Sequence, residues 1–471
     1  MKVLLLTTPG NVSRQSVYFP LGLGYISALL EKHGIDIRIL DSASEKSSWK
    51  EFKKKITKSD ADIFGVTCNT HTRFDCFKAA RIIKEINPNA KTILGGPHMY
   101  TTDLDTLKNI PEIDAIVRGE GEFTMLELVN KLERNKSLKD VKGVTYREGN
   151  RIIRNPERPL MDNLDRLPFP ARHLLSLRKY QIQNQSVPVM FSRGCSMSCV
   201  FCGNRVMWGR RVRFRSPESV GDELEYLVNE YNVDFINVLD DTFNINPKWA
   251  MKVCDEIINR KLDLKCRLRI RADRLTEELV KKMKIIGCKW AGIGLESASP
   301  RILKRIRKLV TVDQVRDSIK LCVKYGINPK VFTMANLPGE TFEDMKMTLA
   351  FSRMIKRKYR EQVDIALKPA IAVIYPGTDL ENLAYTKGIL PRKFRWSQQY
   401  YNLKNIIVGV DPRVPIYENI RIEKLAAFFF KEHVISETFY NLKSIAISKN
   451  KFRDIIGPTI HYFSRFIYWD G

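Results

Sequence analysis

The chain has 471 residues, 44% of them hydrophobic, enough for two or three cores at the usual domain size of roughly 100–150 residues. Its 79 Lys and Arg against 53 Asp and Glu leave a net charge of +26. No nucleic-acid-binding signature accompanies that surplus, so specific nucleic-acid binding is not expected and the charge is read as a basic soluble surface or as steering for an anionic partner. The apolar opening Met1–Leu6 breaks at Thr7-Thr8-Pro9 without a small-residue cleavage site, and no run reaches the roughly 18 uncharged apolar residues of a spanning helix, so a cytoplasmic protein with no transmembrane segment is expected.

Residues 1–135 alternate short aliphatic runs with helical periods. Val3–Thr7, Asp36–Leu40, Ile63–Thr67, Thr92–Leu94 and Ala115–Val117 read as strands. Leu21–His33, Ser48–Thr57, Arg73–Ile86 and Glu122–Glu133 repeat apolar residues three and four apart and read as helices. This predicts a Rossmann-like parallel sheet, a fold that takes its ligands at the carboxyl ends of the strands. Those ends carry Pro9-Gly10, Thr67-Cys68-Asn69-Thr70-His71, Gly95-Gly96-Pro97-His98 and Gly119-Glu120-Gly121-Glu122.

Residues 136–186 read as a connector. Val141–Tyr146 and Arg151–Arg154 flank Glu148-Gly149-Asn150 as a hairpin, and Leu167-Pro168-Phe169-Pro170 forbids helix. Residues 187–394 return to alternation, with strands at Val189–Ser192, Phe235–Leu239, Cys266–Arg271, Trp290–Gly294, Lys330–Met334 and Ile365–Val373. Helical stretches such as Pro217–Tyr231, Pro247–Arg260, Thr276–Ile286 and Val312–Tyr325 separate them. Six such repeats, against the eight of a closed barrel, predict a partial (β/α)6 barrel. Residues 395–471 are aromatic-rich, with Phe428–Phe430, Phe439-Tyr440 and Tyr462-Phe463, and are expected to form a mainly helical carboxy-terminal cap. The fold class is therefore α/β, in three successive units with a connector between the first two.

Nine cysteines are present, and six of them, at 68, 76, 254, 266, 288 and 322, are scattered in a way that makes a poor disulfide framework. The other three cluster in Cys195-Ser196-Met197-Ser198-Cys199-Val200-Phe201-Cys202. Thiolates at that spacing suit an iron–sulfur cluster or zinc. A structural zinc site wants four ligands and no fourth lies nearby, whereas three leave one iron of a cubane open. The run resembles the Cys-x-x-x-Cys-x-x-Cys signature of the radical S-adenosylmethionine (SAM) superfamily, including its aromatic before the third Cys.

The resemblance implies a [4Fe–4S] cluster on Cys195, Cys199 and Cys202, with SAM chelating the fourth iron. It continues through Leu239-Asp240-Asp241-Thr242, where relatives place an acceptor for the SAM amino group, so Asp240 or Asp241 is implied there. Gly292-Ile293-Gly294-Leu295-Glu296 resembles the segment whose glutamate accepts from the ribose hydroxyls. Met334-Ala335-Asn336-Leu337-Pro338-Gly339 resembles the strand and turn against the adenine, which brings in Asn336 and Gly339. Arg271 is implied for the SAM carboxylate, and Tyr375-Pro376-Gly377-Thr378, which recurs in relatives, is read as a structural turn.

A Rossmann-like domain ahead of such a barrel, with Phe19-Pro20-Leu21-Gly22-Leu23-Gly24-Tyr25, Gly95-Gly96-Pro97-His98 and Arg118-Gly119-Glu120-Gly121-Glu122, resembles the cobalamin-binding subfamily. The resemblance implies cobalamin against Thr67, Asn69, Thr70, His71, Gly95, Gly96, Gly119, Glu120 and Gly121. Glycine at these strand ends allows close backbone approach. No histidine has Asp two residues before it, so the Asp-x-His-x-x-Gly cobalt motif is missing and cobalt is expected without a protein histidine, His71 being the alternative. The implied reaction is reductive cleavage of SAM to a 5′-deoxyadenosyl radical and modification of an unactivated carbon, by C-methylation first. Cyclisation or rearrangement is the first alternative. A tRNA methylthiotransferase is disfavoured because only Cys68 and Cys76 precede residue 195, and a non-catalytic iron–sulfur or cobalamin sensor stands last. The expected partners are an electron donor of flavodoxin or ferredoxin type and a small-molecule or lipid-like substrate.

Overall fold

A computed structural model describes residues 1–10, 19–184 and 186–432. The first unit runs β1 (Lys2–Thr7), α1 (Leu21–Lys32), β2 (Asp36–Asp41), α2 (Trp49–Thr57), β3 (Ile63–Thr67), α3 (Arg73–Ile86), β4 (Lys91–Gly95), α4 (Met99–Asn109), β5 (Ala115–Val117) and α5 (Glu122–Glu133). Strands β1 to β5 are parallel, in the order β2-β1-β3-β4-β5. The chain order reverses between β1 and β3, which makes the crevice outside their carboxyl ends the place where such a sheet binds ligands. Helix α4 escapes the periodic reading because its inward positions, Met99, Thr102, Asp103, Thr106 and Leu107, are helically spaced but mostly polar.

The hairpin expected in the connector, β6 (Val144–Glu148) and β7 (Arg151–Arg154), instead widens the first sheet. Strand β6 pairs antiparallel with β5, and β7 forms the edge. The reason is burial: Val144, Thr145 and Tyr146 are inside, and Thr145 Oγ1 donates to Asp103 Oδ2 at 2.6 Å.

After α6 (Leu177–Asn184), the second unit runs β8 (Val187–Val189), β9 (Ser192–Arg193), α7 (Asn204–Trp208), β10 (Arg213–Phe214), α8 (Pro217–Tyr231), β11 (Phe235–Val238), α9 (Pro247–Asn259), β12 (Lys265–Ile270), α10 (Glu277–Ile285), β13 (Cys288–Glu296), α11 (Pro300–Arg305), α12 (Val312–Lys324), β14 (Asn328–Ala335), α13 (Phe342–Tyr359), β15 (Asp364–Ile365) and β16 (Ala370–Ile371). Its main sheet is parallel in the order β8-β11-β12-β13-β14-β15, with β16 also on β14. Six strand positions with two free edges make the open partial barrel that the repeats predict. The sixth strand is split because Pro369 cannot donate to a ladder. The first is split as well: after Val189 the chain leaves the sheet, and β9 pairs antiparallel with β10.

Local chemistry explains the helix limits. Helix α8 starts with Ser216 accepting from the Ser219 N–H and Pro217 in the first turn, and ends at Asn232 with φ +50°. Helices α12 and α13 start with capping boxes, Thr311 with Gln314 and Thr341 with Asp344. The barrel core of Val189, Val238, Ile270 and Ile293 also takes in Phe19, just before α1, and Leu21 and Tyr25 in its first turns, so the two units share buried surface. Beyond α14 (Asp379–Thr386), α15 (Lys404–Ile407) and a helix over 422–432 follow. Phe439, Tyr440, Tyr462, Phe463 and the rest of the expected cap lie outside the described residues. Among the described residues, no helix is long and apolar enough to cross a membrane.

Candidate functional site

Cys195, Cys199 and Cys202 follow β9 on one loop and are half-buried, whereas the other six cysteines are buried. The loop opens at Gly194, φ +99°, where a Cβ would collide with the Arg211 carbonyl. Its anchors are the Val200 N–H donating to Ile306 O at 3.1 Å and the Leu380 N–H donating to Val200 O at 2.9 Å. Cys195 Sγ lies 3.8 Å from Thr242 Oγ1, and Cys199 Sγ lies 3.8 Å from Arg307 O. Burial pushes the Cys202 thiol up to about 11; it raises Cys199 too, although Lys308 and Arg271 pull that thiol back. The three thiols feel one another, yet among the described residues no three ligating side chains converge as a single ion requires. Three thiols on one loop with no fourth cysteine beside them are the donor set that a cubane would take.

The two aspartates after β11 have different surroundings. Asp240 is 1% exposed, accepts from the Phe191 N–H at 2.7 Å and from Ser192 Oγ at 2.6 Å, and is pushed up to about 6 by burial. It ties the junction between β8 and β9 to the end of β11. Asp241 is exposed beside the loop, accepts from the Gly194 N–H at 3.1 Å, and raises the neighbouring Cys202 thiol. It is the better-placed acceptor of the two.

Glu296 closes β13 at a bulge with φ +67°. Its Oε1 accepts from Lys308 Nζ at 2.8 Å, and a Cβ on Gly294 would collide with both groups. The sequence reading did not single out Lys308, which pairs with Glu296 and acts on the Cys199 thiol. Arg307 and Leu309 on either side of it have φ +55° and +54°, a strained backbone of the kind that surrounding structure must impose. Arg271 does the imposing, donating to Lys308 O at 3.0 Å and Leu309 O at 3.2 Å while its Nε bonds Asp273 at 2.8 Å. Arg271 therefore braces the lysine loop.

Asn336 is fully buried with φ +64°. Its amide accepts from the Ile420 N–H at 2.7 Å and donates to Ile420 O at 3.1 Å, so both polar atoms are spent on the 419–420 segment and not on an adenine. Gly339, φ +71°, donates to Asn419 Oδ1 at 3.1 Å, and a Cβ there would lie 2.6 Å from Arg305 Nε.

At the carboxyl ends of the first sheet, Thr67 and Gly95 are in register, and the Cys68 N–H donates to Gly95 O at 2.8 Å. Gly96, φ +97°, is required by this turn itself, because a Cβ would lie 2.6 Å from Cys68 O. Gly119, φ +74°, meets only Tyr100 at 3.5 Å, and Asn69 is exposed, so these two border open space. Gly121 makes room for Ile26 of α1, 2.9 Å from the Cβ it lacks. Thr70 is buried against His98 Nδ1 at 3.2 Å. His71 Nε2 lies 3.3 Å from the Tyr375 hydroxyl and Nδ1 lies 3.8 Å from Asp411, so both ring nitrogens have partners and the ring is not a free cobalt ligand. Glu120 is also fully engaged, with Arg193 at 2.7 Å, Arg213 at 2.8 Å and the Met161 N–H at 2.8 Å. Burial pushes its carboxyl up, but Arg193, the Met161 N–H and Arg213 outweigh burial and hold it below its ordinary value. It is not available to a corrin.

Residues 189–352 match the Radical SAM superfamily, and residues 8–129 match the B12 binding domain. An uncharacterized methyltransferase of Pyrococcus horikoshii is 37% identical over 398 residues, 83% of this chain and 84% of that one. An anaerobic magnesium-protoporphyrin IX monomethyl ester cyclase of Rubrivivax gelatinosus is 31% identical over 71% of this chain, which spans 62% of the cyclase. In fold, the cobalamin-dependent SAM radical enzyme OxsB with aqua-cobalamin bound superposes with a TM-score of 0.72 over 99% of this chain and 71% of that one, at 18% identity. The radical SAM methyltransferase TsrM of Kitasatospora setae, with cobalamin and a [4Fe–4S] cluster, gives 0.67 over 82% of this chain and 79% of that one, at 18% identity. With both halves matched in order, and with a relative this similar along most of its length, the chain belongs to the cobalamin-dependent radical SAM enzymes, whose cofactors are a [4Fe–4S] cluster, SAM and cobalamin.

Proposed function

We propose that this enzyme methylates an unactivated carbon of a small or lipid-like substrate. The observation that carries the reading is the His71–Tyr375 contact at 3.3 Å. It sets the loop after β3, which borders the cobalamin side, against a tyrosine whose hydroxyl is raised by burial and by the Cys202 thiol. Tyr375 thus stands close both to the loop proposed to meet cobalamin and to the cluster loop. When bound, the cofactors supply an electron that cleaves SAM, a hydrogen-abstracting radical and a transferable methyl group.

The chain's own residues bind and orient. Cys195, Cys199 and Cys202 would hold the cluster, and with three thiolates one iron would remain for SAM. Asp241 would accept from the SAM amino group, Lys308 would pair with its carboxylate, and Glu296 would accept from the ribose hydroxyls. Asn69, Gly95 and Gly119 would border the cobalamin. Their task is positional, since a reacting carbon must be held within a near-attack distance of roughly 3–3.5 Å and away from water. Arg205, Arg210 and Arg211, exposed just after the cluster loop, offer an acidic donor of flavodoxin or ferredoxin type a complementary surface.

The cyclase relative supports cyclisation as a second reading. Incubation with SAM, cobalamin and dithionite tests the first: 5′-deoxyadenosine and methylcobalamin are expected, a cyclase gives 5′-deoxyadenosine without methyl transfer to product, and a sensor gives neither.

A further inference from the structure

Two glycine-containing motifs of the first unit meet the cluster loop instead of a ligand. Arg193 stands immediately before Gly194-Cys195. Its Nη1 bonds Glu120 Oε1 at 2.7 Å, and its Nη2 bonds Glu122 Oε1 at 2.6 Å. Its β-ladder partner Arg213 bonds both Glu120 oxygens, at 2.9 and 2.8 Å, and the Met161 carbonyl at 2.9 Å. Tyr25, from the Phe19–Tyr25 motif, places its ring 5.4 Å from the Arg193 guanidinium. All four charged residues are at most 8% exposed. Two acids face two arginines, so the group is neutral as a whole and charged wherever one member is lost. A buried pair adds little net stability over an apolar replacement, but removing one partner strands the other. Such a group is suited to fixing geometry, because only one mutual placement of the sheets satisfies it.

We propose that Glu120, Glu122, Arg193 and Arg213 are positioning residues that form an interdomain clasp, fixing the cluster loop against the cobalamin side. Glu120 belongs to this clasp and not to the cobalamin site. The identity of the cofactors on each side rests on the proposed function; the clasp itself rests on the ion pairs.

The test uses the full chain. In Glu120→Gln, amide hydrogen exchange over 194–202 is expected to quicken by about tenfold or more, because a stranded arginine loosens the loop. Asp103→Asn breaks another buried group, which ties α4 to the same sheet through Arg154 at 2.8 Å and Thr145 at 2.6 Å, and is expected to leave exchange over 194–202 unchanged. In the reconstituted chain, Glu120→Gln is expected to raise the cluster's midpoint potential and Arg193→Gln to lower it, with Arg193→Lys close to wild type. General loosening does not produce opposite shifts. If Glu120→Gln fails to fold, Arg213→Lys carries the exchange test, since an ammonium cannot span both oxygens and the Met161 carbonyl. Unchanged exchange over 194–202, or loss of cobalamin from Glu120→Gln with exchange and potential unaltered, overturns the clasp. A wild-type chain that takes up no cluster overturns the proposed function instead, and the exchange comparison still decides the clasp.

Discussion

Lys308 and Glu296 show how much a single residue's role depends on neighbours distant in sequence. Lys308 sits in a run with Lys304, Arg305 and Arg307 that reads as a solvated basic face, and only the paired left-handed residues and Arg271 turn it inward. Asp240 and Asp241 are likewise indistinguishable in a sequence, because which one points at the open side is decided by the β8–β9 break. The cysteine spacing and Glu296, by contrast, stand out in the sequence alone, since each is tied to a local motif. Glu296→Ala or Lys308→Met should leave the cluster absorbance intact and weaken SAM binding by roughly 10- to 100-fold, the worth of a charge-assisted bond; an unchanged SAM dissociation constant in both variants removes the pair from the site. Glu340 gives a pH prediction. Burial pushes its carboxyl up to about 8 from an ordinary 4.5, and its Oε1 has no partner. The folded chain therefore keeps a proton that the unfolded chain loses, so this group makes stability fall as pH rises from about 4.5 to about 8. Glu340→Gln should gain on the wild type across that window and hold its advantage above it, read as the difference in denaturation midpoint; a constant difference across the window counts against the assignment.

Elements with regular apolar spacing were legible, and those whose inward face is polar were not. Helix α4 is the clearest case, together with the hairpin that the turn chemistry located correctly but could not assign to a sheet, because pairing partners are not local. The turn after β14 repeats the lesson: Asn336 and Gly339 lie in a motif with a resemblance to adenine contacts, yet the chain spends Asn336 on tying down the 419–420 segment. Asn336→Gly accepts the same φ without strain but loses two buried hydrogen bonds, so it should cost about 1–3 kcal/mol and expose residues near 420 to limited proteolysis. Wild-type stability and protection in this variant would show that the tie is dispensable.

At the scale of the whole molecule, the order of a Rossmann-like sheet and an open barrel was legible from strand and helix alternation, whereas the contacts between them were not. Glu120 looked like a cobalamin residue because its glycine neighbours resemble ligand loops, but its partners are 73 and 93 residues away in the chain. His71 is held between Tyr375 and Asp411 for the same reason, so His71→Ala should leave the spectrum of bound cobalamin that of a form with no histidine on cobalt; a histidine-on spectrum in the wild type, lost in the variant, reverses that assignment. The most direct measurement of the central claim is anaerobic reconstitution with iron, sulfide and cobalamin, gel filtration, then addition of SAM and dithionite. The account predicts that iron and cobalt stay with the same protein peak, that 5′-deoxyadenosine forms, and that Cys195→Ala abolishes both the cluster absorbance and the cleavage while cobalamin stays bound. Cobalamin lost from a chain that retains its cluster, or SAM cleavage undiminished in Cys195→Ala, would contradict it.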